Sequence, residues 1–241
     1  MKDTIFGAHA VLGVLLHQPK RAIQLLCLEK SAHVEIMAVA NRLGLPIRTW
    51  NKAQFQEQLG HEAVHQGLAL QVREFPYVEL EDALRGRPKL CVVLDSIEDP
   101  RNLGRAARSA FAMGAELLVI PKDRAVQVTS SAEKASVGTL SRIPVARVTN
   151  LNRALDKMRD AGLWIIGTSD QAKLKPWKCD LTKPIALVVG NEEKGIRKQV
   201  LEHCDEIIQI PMASKDMSLN AADAATVMLY EALRQRQGAS A

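Results

Sequence analysis

Lys89-Leu90-Cys91-Val92-Val93-Leu94-Asp95 runs directly into Ser96-Ile97-Glu98-Asp99-Pro100-Arg101-Asn102-Leu103-Gly104. The first stretch is continuously apolar from Leu90 to Leu94, with no polar alternation. That is the pattern of a strand buried on both faces, as in a parallel sheet. The second is a polar, proline-containing turn that leads into a helical segment over 102–113.

The same rhythm repeats downstream. ELLVIP (116–121), RIPVARV (142–148), LWIIGT (163–168), PIALVVG (184–190) and EIIQIP (206–211) are short, mostly aliphatic runs. Helical segments are expected between most of them, over 131–138, 151–161 and 195–204, and a last helix over 218–236. Alternating strand and helix gives an α/β class, a doubly wound parallel sheet.

Upstream, residues 1–73 form a separate small α/β unit. FGAHAVLGVLL (6–16) is helix-like, IQLLCLE (23–29) strand-like, and AHVEIMAVANRLG (32–44) helical with its end at Gly44. LPIRTW (45–50) is a short strand, 51–60 a helix capped by Asn51, and GLALQV (67–72) a closing strand. Residues 74–88 carry two prolines and four acidic and two basic side chains. They lack a sustained apolar period and read as a linker with one helical turn. The expected division is therefore 1–73, 74–88 and 89–241.

Composition narrows the function classes. Hydrophobic residues make up 47% of the 241-residue chain and aromatics only 4%, so the core is aliphatic. No apolar stretch approaches a membrane span, and MKDTIFGAHAV lacks the features of a signal peptide, so a cytoplasmic protein is expected. Cys27, Cys91, Cys179 and Cys204 are scattered, with no clustered ligand set for a metal; Cys27 and Cys91 read as core. The net charge of +5 suits a phosphate polymer without demanding one. Five of the six histidines precede residue 74, so the larger part holds no Ser-His-Asp or Cys-His constellation.

Polar and glycine residues gather at three places. Asp99-Pro100-Arg101-Asn102-Leu103-Gly104 sits at the carboxyl end of a strand, where open α/β sheets bind ligands. Arg101, Arg105 and Arg108 share one helix face that suits phosphate, or equally a solvated basic face. Gly190-Asn191-Glu192-Glu193-Lys194-Gly195 follows another strand; backbone can approach a ligand closely at Gly190, or the loop is an ordinary strand-to-helix turn. The third runs from Ile210-Pro211-Met212-Ala213 through Ser214-Lys215-Asp216-Met217 to Ser218-Leu219-Asn220. Ser218 can cap the final helix, and Asn220 is out of place early in it. The small residues of AADAA (221–225) permit close packing. The first strand is not followed by GxGxxG, which argues against a nucleotide-dependent oxidoreductase.

Taken in this order, DPRNLG with Arg108, GNEEKG, and IPM followed by SLN resemble the SpoU family of RNA ribose methyltransferases, within the larger SPOUT group. IFGAHAV (5–11) and VHQGLAL (64–70) resemble the two ends of that family's small substrate-binding domain. PKDR (121–124) and HCDE (203–206) point toward members that methylate a guanosine ribose in bacterial large-subunit rRNA. Departures are Ala221 where Val is usual, Arg105 in place of a small residue, and Val137 in KASVGT.

The resemblance implies a trefoil-knotted methyltransferase domain that uses S-adenosylmethionine, bound by Gly190, Ile210, Met212 and Leu219. It implies a homodimer through the knotted domain, with both chains at the site, and large-subunit rRNA as partner. It implies Asn102, Arg108, Glu192, Ser218 and Asn220 as catalytic residues. Arg108 would hold the substrate phosphate, since a guanidinium with a pKa above about 12 is a poor base. Asn102 would orient Arg108 and the ribose, Glu192 would organise the cofactor loop, and Ser218 and Asn220 would bound the reacting centre. His9 and His65 are candidate RNA contacts or structural histidines. The alternatives are transfer RNA as target and a non-catalytic RNA-binding assembly factor.

Overall fold

The computed structural model describes residues 3–29, 33–60, 65–214 and 217–238. Ala32, Val64, Lys215 and Asp216, which fall in the segments read above, lie outside the described residues.

The small unit is built from β1 (Asp3–Phe6), α1 (Ala8–His17), β2 (Ala22–Leu28), α2 (Val34–Arg42), β3 (Ile47–Trp50), α3 (Lys52–Leu59) and β4 (Leu68–Val72). Its sheet runs β1-β4-β2-β3, with β4 antiparallel to both neighbours and β2 parallel to β3. One face buries Ile5, Leu25 and Leu70 against Val11 and Val14 of α1 and Ile36 of α2. The other buries Leu26 and Ala69 against Phe55 of α3. Helix α3 starts in a full capping box: Asn51 Oδ1 accepts from Gln54 N at 3.0 Å, and Gln54 Oε1 accepts from Asn51 N at 2.9 Å. Strand β1 was not foreseen. Only four residues long, it is fixed by its pairing with β4, in the register Ile5↔Leu70, rather than by local pattern.

Residues 73–88 lie along the large sheet. Phe75 enters its core, the Tyr77 hydroxyl accepts from Val128 N at 2.9 Å, and Val78 N donates to Val145 O at 2.9 Å. Leu80 and Leu84 of α4 (Leu80–Arg85) are buried against the same sheet.

The aliphatic runs become β5 (Leu90–Leu94), β6 (Leu117–Pro121), β7 (Val145–Val148), β8 (Trp164–Thr168), β9 (Ile185–Val189) and β10 (Glu206–Ile208). All pairs are parallel and the order is β10-β8-β9-β5-β6-β7. Between them lie α5 (Pro100–Ala112), α6 (Ser130–Ala135), α7 (Leu151–Asp160) and α8 (Lys198–Leu201), and α9 (Ala221–Gly238) follows β10. Val92 and Leu118 face the α5–α9 side while Cys91, Val93 and Val119 face α7, so both faces are covered. That is why the strands read as unbroken apolar runs. From β7 at one edge the chain crosses to β8, returns to insert β9 beside β5, and leaves for β10 at the far edge. The order therefore reverses between β5 and β9, the switch point where such sheets bind ligands.

Two helices differ from expectation. The segment over 195–204 yields only four helical residues, because Asp95 holds Arg197 N and Nε and keeps Arg197 extended at φ −57°, ψ 139°. The last helix starts at Ala221, and its cap is Asn220, whose Oδ1 accepts from Ala222 N at 2.9 Å, rather than Ser218. An asparagine is a poor helix interior residue and a good cap, so its odd position marks the start of α9.

The two sheets meet at a sealed seam. Arg21, 6% exposed, donates to both oxygens of Glu133 on α6, at 2.6 and 2.9 Å, and to Arg73 O at 3.0 Å. A Cβ on Gly13 of α1 would lie 2.9 Å from both Gly138 Cα and Gly138 O, so backbone packs on backbone.

Candidate active site

Three loops converge at the switch point. The first begins with Asp95 at the end of β5 and leads into α5, where Asp99 caps the helix by accepting from Arg101 N at 2.7 Å with Pro100 in the first turn. The Arg101 guanidinium, hydrogen-bonded to Asp99, holds that carboxyl below the usual range. Gly104 is a packing residue: a Cβ there would sit 2.3 Å from Ala132 O of α6.

The second loop closes on itself. Asn191 N donates to Gly195 O at 3.1 Å, and Gly195 N donates back to Asn191 O at 2.9 Å. Asn191 Oδ1 accepts from Glu193 N at 2.9 Å, while its Nδ2 donates to Ser96 O at 3.2 Å and ties this loop to the first. A Cβ on Gly190 would lie 2.1 Å from Gly195 C and 2.2 Å from Ile196 N. The close backbone approach at Gly190 is thus made by the loop's own return, and Gly190 shapes the rim rather than offering an open face.

The third stretch delivers Asn220. Asn102, 8% exposed, donates through Nδ2 to Glu192 Oε1. Asn220 Nδ2 donates to Asn102 Oδ1 at 3.0 Å and to Glu192 Oε1 at 3.2 Å. The structure therefore brings together Asn102, Glu192 and Asn220, drawn from all three motifs. Glu192 Oε2 has no hydrogen-bond partner among the described residues and is free to accept one. Asn220 works twice, since its oxygen caps α9 while its nitrogen joins the cluster.

Arg108 lies elsewhere. It is exposed and makes no hydrogen bond or ion pair among the described residues. Six positions beyond Asn102, it stands about 9 Å further along α5 and roughly 120° around it. Asn102 makes no bond to Arg108, because its amide is taken up by Glu192 and Asn220. The basic face also resolves into separate roles. Arg101 pairs with Asp99 at 2.9 Å and Arg105 with Asp223 of α9 at 2.7 Å, which leaves Arg108 unpaired among the described residues. Ser218 is exposed beside the cluster in sequence and is not among its hydrogen-bonded members.

The loops after β9 and β10 suit S-adenosylmethionine. Ile210 and Leu219 are partly exposed and Met212 is 39% exposed, so apolar surface stays uncovered at the carboxyl edge of the sheet beside a free carboxylate oxygen. A flat base and a cationic sulfonium need those two features. Burial pushes the Cys91 and Cys204 thiols up to about 12, away from the thiolate form.

Asp95 was missed by sequence reasoning, and Asn191, quoted within the second motif, was given no role of its own. Asp95 is wholly buried, with its carboxylate on Arg197. The available signal was an acidic residue ending an apolar strand at the ligand edge. Of the two histidines, His65 is structural. It stacks on Phe55 with centroids 4.6 Å apart, its Nδ1 accepts from Gly67 N at 2.9 Å, and burial lowers its pKa, helped by Lys134. His9 is exposed.

This arrangement defines an α/β enzyme whose site is assembled from loops at the switch point of a parallel sheet. The SpoU rRNA Methylase family profile matches residues 89–230, and the profile for RNA 2′-O ribose methyltransferase substrate binding matches residues 4–78. The chain belongs to the SpoU family. It is 37% identical over 246 residues to the 23S rRNA (guanosine-2′-O-)-methyltransferase RlmB of Haemophilus influenzae, covering 99% of this chain and 100% of that protein. The putative TrmH family tRNA/rRNA methyltransferase YacO of Bacillus subtilis is likewise 37% identical, over 97% of this chain and 96% of its own. The crystal structure of AviRb from Streptomyces viridochromogenes in complex with AdoMet superimposes with a TM-score of 0.85 at 26% identity, covering 98% of this chain and 91% of that one.

Proposed function

We propose that this protein transfers a methyl group from S-adenosylmethionine to the ribose 2′-hydroxyl of a guanosine in 23S rRNA. The observation that carries this reading is the Asn102–Glu192–Asn220 cluster, assembled from the three motifs at the switch point. Bound S-adenosylmethionine supplies a methyl group already activated on a sulfonium. The chain's own task is alignment of the ribose and control of the proton that leaves it. Ile210, Met212 and Leu219 hold the cofactor, and Gly190 shapes the rim by letting its loop close on itself. The free Glu192 oxygen accepts a hydrogen bond at the site, Asn102 and Asn220 fix that carboxylate, and Ser218 stands at the edge of the reacting centre. Arg108 is the phosphate anchor; always charged, it is unsuited to act as a base.

The domain division 1–73, 74–88 and 89–241 assigns RNA gripping to the first part and chemistry to the last. The last part is read as a trefoil-knotted domain, in keeping with the insertion of β9 between β5 and β8. A homodimer through this domain accounts for two features of a single chain. Val227 and Tyr230 of α9 are 42% and 58% exposed, and Arg108 stands apart from the cluster it is to serve. A cytoplasmic location follows from the substrate, and among the described residues no helix is long and apolar enough to cross a membrane.

The test is incubation with labelled S-adenosylmethionine and unmodified 23S rRNA, with transfer RNA in parallel. A single methylated guanosine in the rRNA is expected. Label confined to transfer RNA keeps the chemistry and overturns the target. No label in either, with ribosome precursors also supplied, overturns the enzymatic reading.

A further inference from the structure

At the carboxyl ends of β6 and β7 a cavity of about 290 Å³ opens beside the switch point, lined among others by Asp123, Arg124, Thr149, Asn152, Arg197 and Gln199. The next strand inward is β5, so the cavity lies about 5–10 Å along the sheet edge from the loop that leads to Asn102. None of the catalytic or cofactor residues assigned above lines it.

We propose that this cavity is a second RNA subsite, which takes a phosphodiester of the substrate strand outside the reacting nucleotide on Arg124 and Arg197. The proposal rests on the RNA reading above. Its ground is the construction of the walls. The segment Pro121–Ala125 is not an idle surface turn. Gln127 Nε2 donates to the carbonyls of Pro121, Lys122 and Ala125 at 3.1, 3.1 and 3.2 Å, while its Oε1 stays buried without a partner among the described residues. Arg124 is held at φ 56°, a left-handed conformation that costs a non-glycine residue free energy. The side chains of Lys122, Asp123 and Arg124 are exposed, while Val126 beyond them packs on the core and anchors the segment.

The opposite wall is equally fixed. Arg197 gives its backbone N and its Nε to the buried Asp95 at 2.9 and 2.8 Å and sets its Nη2 2.7 Å from the same carboxylate, so the half-exposed guanidinium is fixed in direction and already paired, and Arg124 is the cation left for the phosphate charge. Both walls are tied to the β5–α5 loop: Val126 N donates to Ile97 O at 2.8 Å, and Asp95 belongs to that loop. A phosphate gripped here is thus held in fixed relation to Asn102. Arginine is the side chain suited to that task, since its planar fork meets two phosphate oxygens at once. Thr149, Asn152 and Gln199 add neutral hydrogen-bonding groups, and Asp123 can accept from a ribose hydroxyl, the group that distinguishes RNA from DNA.

The test compares Arg124→Gln with the wild-type full chain, using 23S rRNA for turnover and a labelled single-stranded RNA oligonucleotide for fluorescence anisotropy. Arg85→Gln, at the end of α4 just before the amino end of β5 and outside the cavity lining, controls for loss of a charge. Arg124→Gln should raise KM for RNA about tenfold, the effect of losing one charge-assisted contact. The slope of log KM against log salt should flatten by roughly 0.7. The kcat at saturating RNA and the Kd for S-adenosylmethionine should stay within about twofold of wild type. An unchanged KM and salt slope in an active enzyme overturns the subsite and leaves the methyltransferase reading standing. If the wild type methylates no RNA, that reading falls, and anisotropy then decides the subsite. Weaker oligonucleotide binding in Arg124→Gln alone supports it, and equal binding in all three proteins overturns it.

Discussion

Arg21 and Arg108 are chemically identical and are used in opposite ways. Arg21 sits at the seam between the two sheets with its side chain 5% exposed; it meets both oxygens of Glu133 and two further acceptors and lies over the Phe75 ring. Arg108 stands on the outer face of α5 with no partner among the described residues. A charge sealed in this way fixes one arrangement of the chain, since leaving either partner alone in the interior is expensive. A charge left solvated and unpaired keeps its hydrogen-bonding capacity for something that arrives later. The seam makes the small domain a fixed arm, and the catalytic face keeps its binding groups open.

The strongest way to break this comparison is to remove the open cation. Arg108→Ala should lower kcat/KM by about 1,000-fold, equivalent to about 4 kcal/mol. It should leave the Kd for S-adenosylmethionine and the thermal midpoint unchanged, because nothing in the fold leans on Arg108. Normal turnover would remove Arg108 from the site. A lowered midpoint would show that it carries structure after all.

The converse substitution should act on stability. Arg21→Ala leaves Glu133 buried and uncompensated and should cost about 3–5 kcal/mol in urea denaturation. The double variant Arg21→Met with Glu133→Leu removes both charges and should recover most of that loss. If the single variant loses less than about 1 kcal/mol, the range of an exposed pair, then the seam is open to water in solution.

Gly13→Ala sharpens the same point, because two effects oppose each other. In a free helix the change should stabilise α1 by about 1 kcal/mol. At the seam the added methyl would meet Ser141 Oγ at 2.7 Å and the Gly138 backbone at 2.9 Å. Overpacking against backbone costs about 1–3 kcal/mol, so the net effect should be destabilising. A stabilised variant would mean that the two domains separate in solution.

These contrasts also mark what the sequence could disclose. Strands β5, β6 and β9 were legible because burial on both faces writes a continuous apolar run, and β7, β8 and β10 because most of their residues are aliphatic. Asn102, Glu192 and Asn220 were legible because each stands in a polar motif at the end of such a run. The seam was not legible. Arg21 follows a lysine in a surface-like segment, Glu133 sits in a polar helix, and only their meeting 112 positions apart gives them meaning. Asp95 was hidden for the same reason, since its partner Arg197 is 102 positions away. The Asn220 cap was misplaced by two residues because Ser218 satisfies the same local rule. The choice between them is made by Asn102 and Glu192, which draw the Asn220 amide toward the switch point.

The smallest expected effect tests whether that local rule holds where nothing distant competes. Among the described residues Asn51 has no long-range hydrogen-bond partner, and its side chain and that of Gln54 close a capping box within four residues. Helix α3 lies on the far side of the small sheet from α1 and is anchored mainly by Phe55. Asn51→Ala should therefore cost about 1 kcal/mol of stability. Faster amide exchange should be confined to the first turn of α3, with KM, kcat and cofactor affinity unchanged. A change in RNA affinity would mean that α3 carries part of the RNA contact. The small domain would then have an open face of its own, and the contrast between sealed seam and open site would run within it as well as between the two sheets.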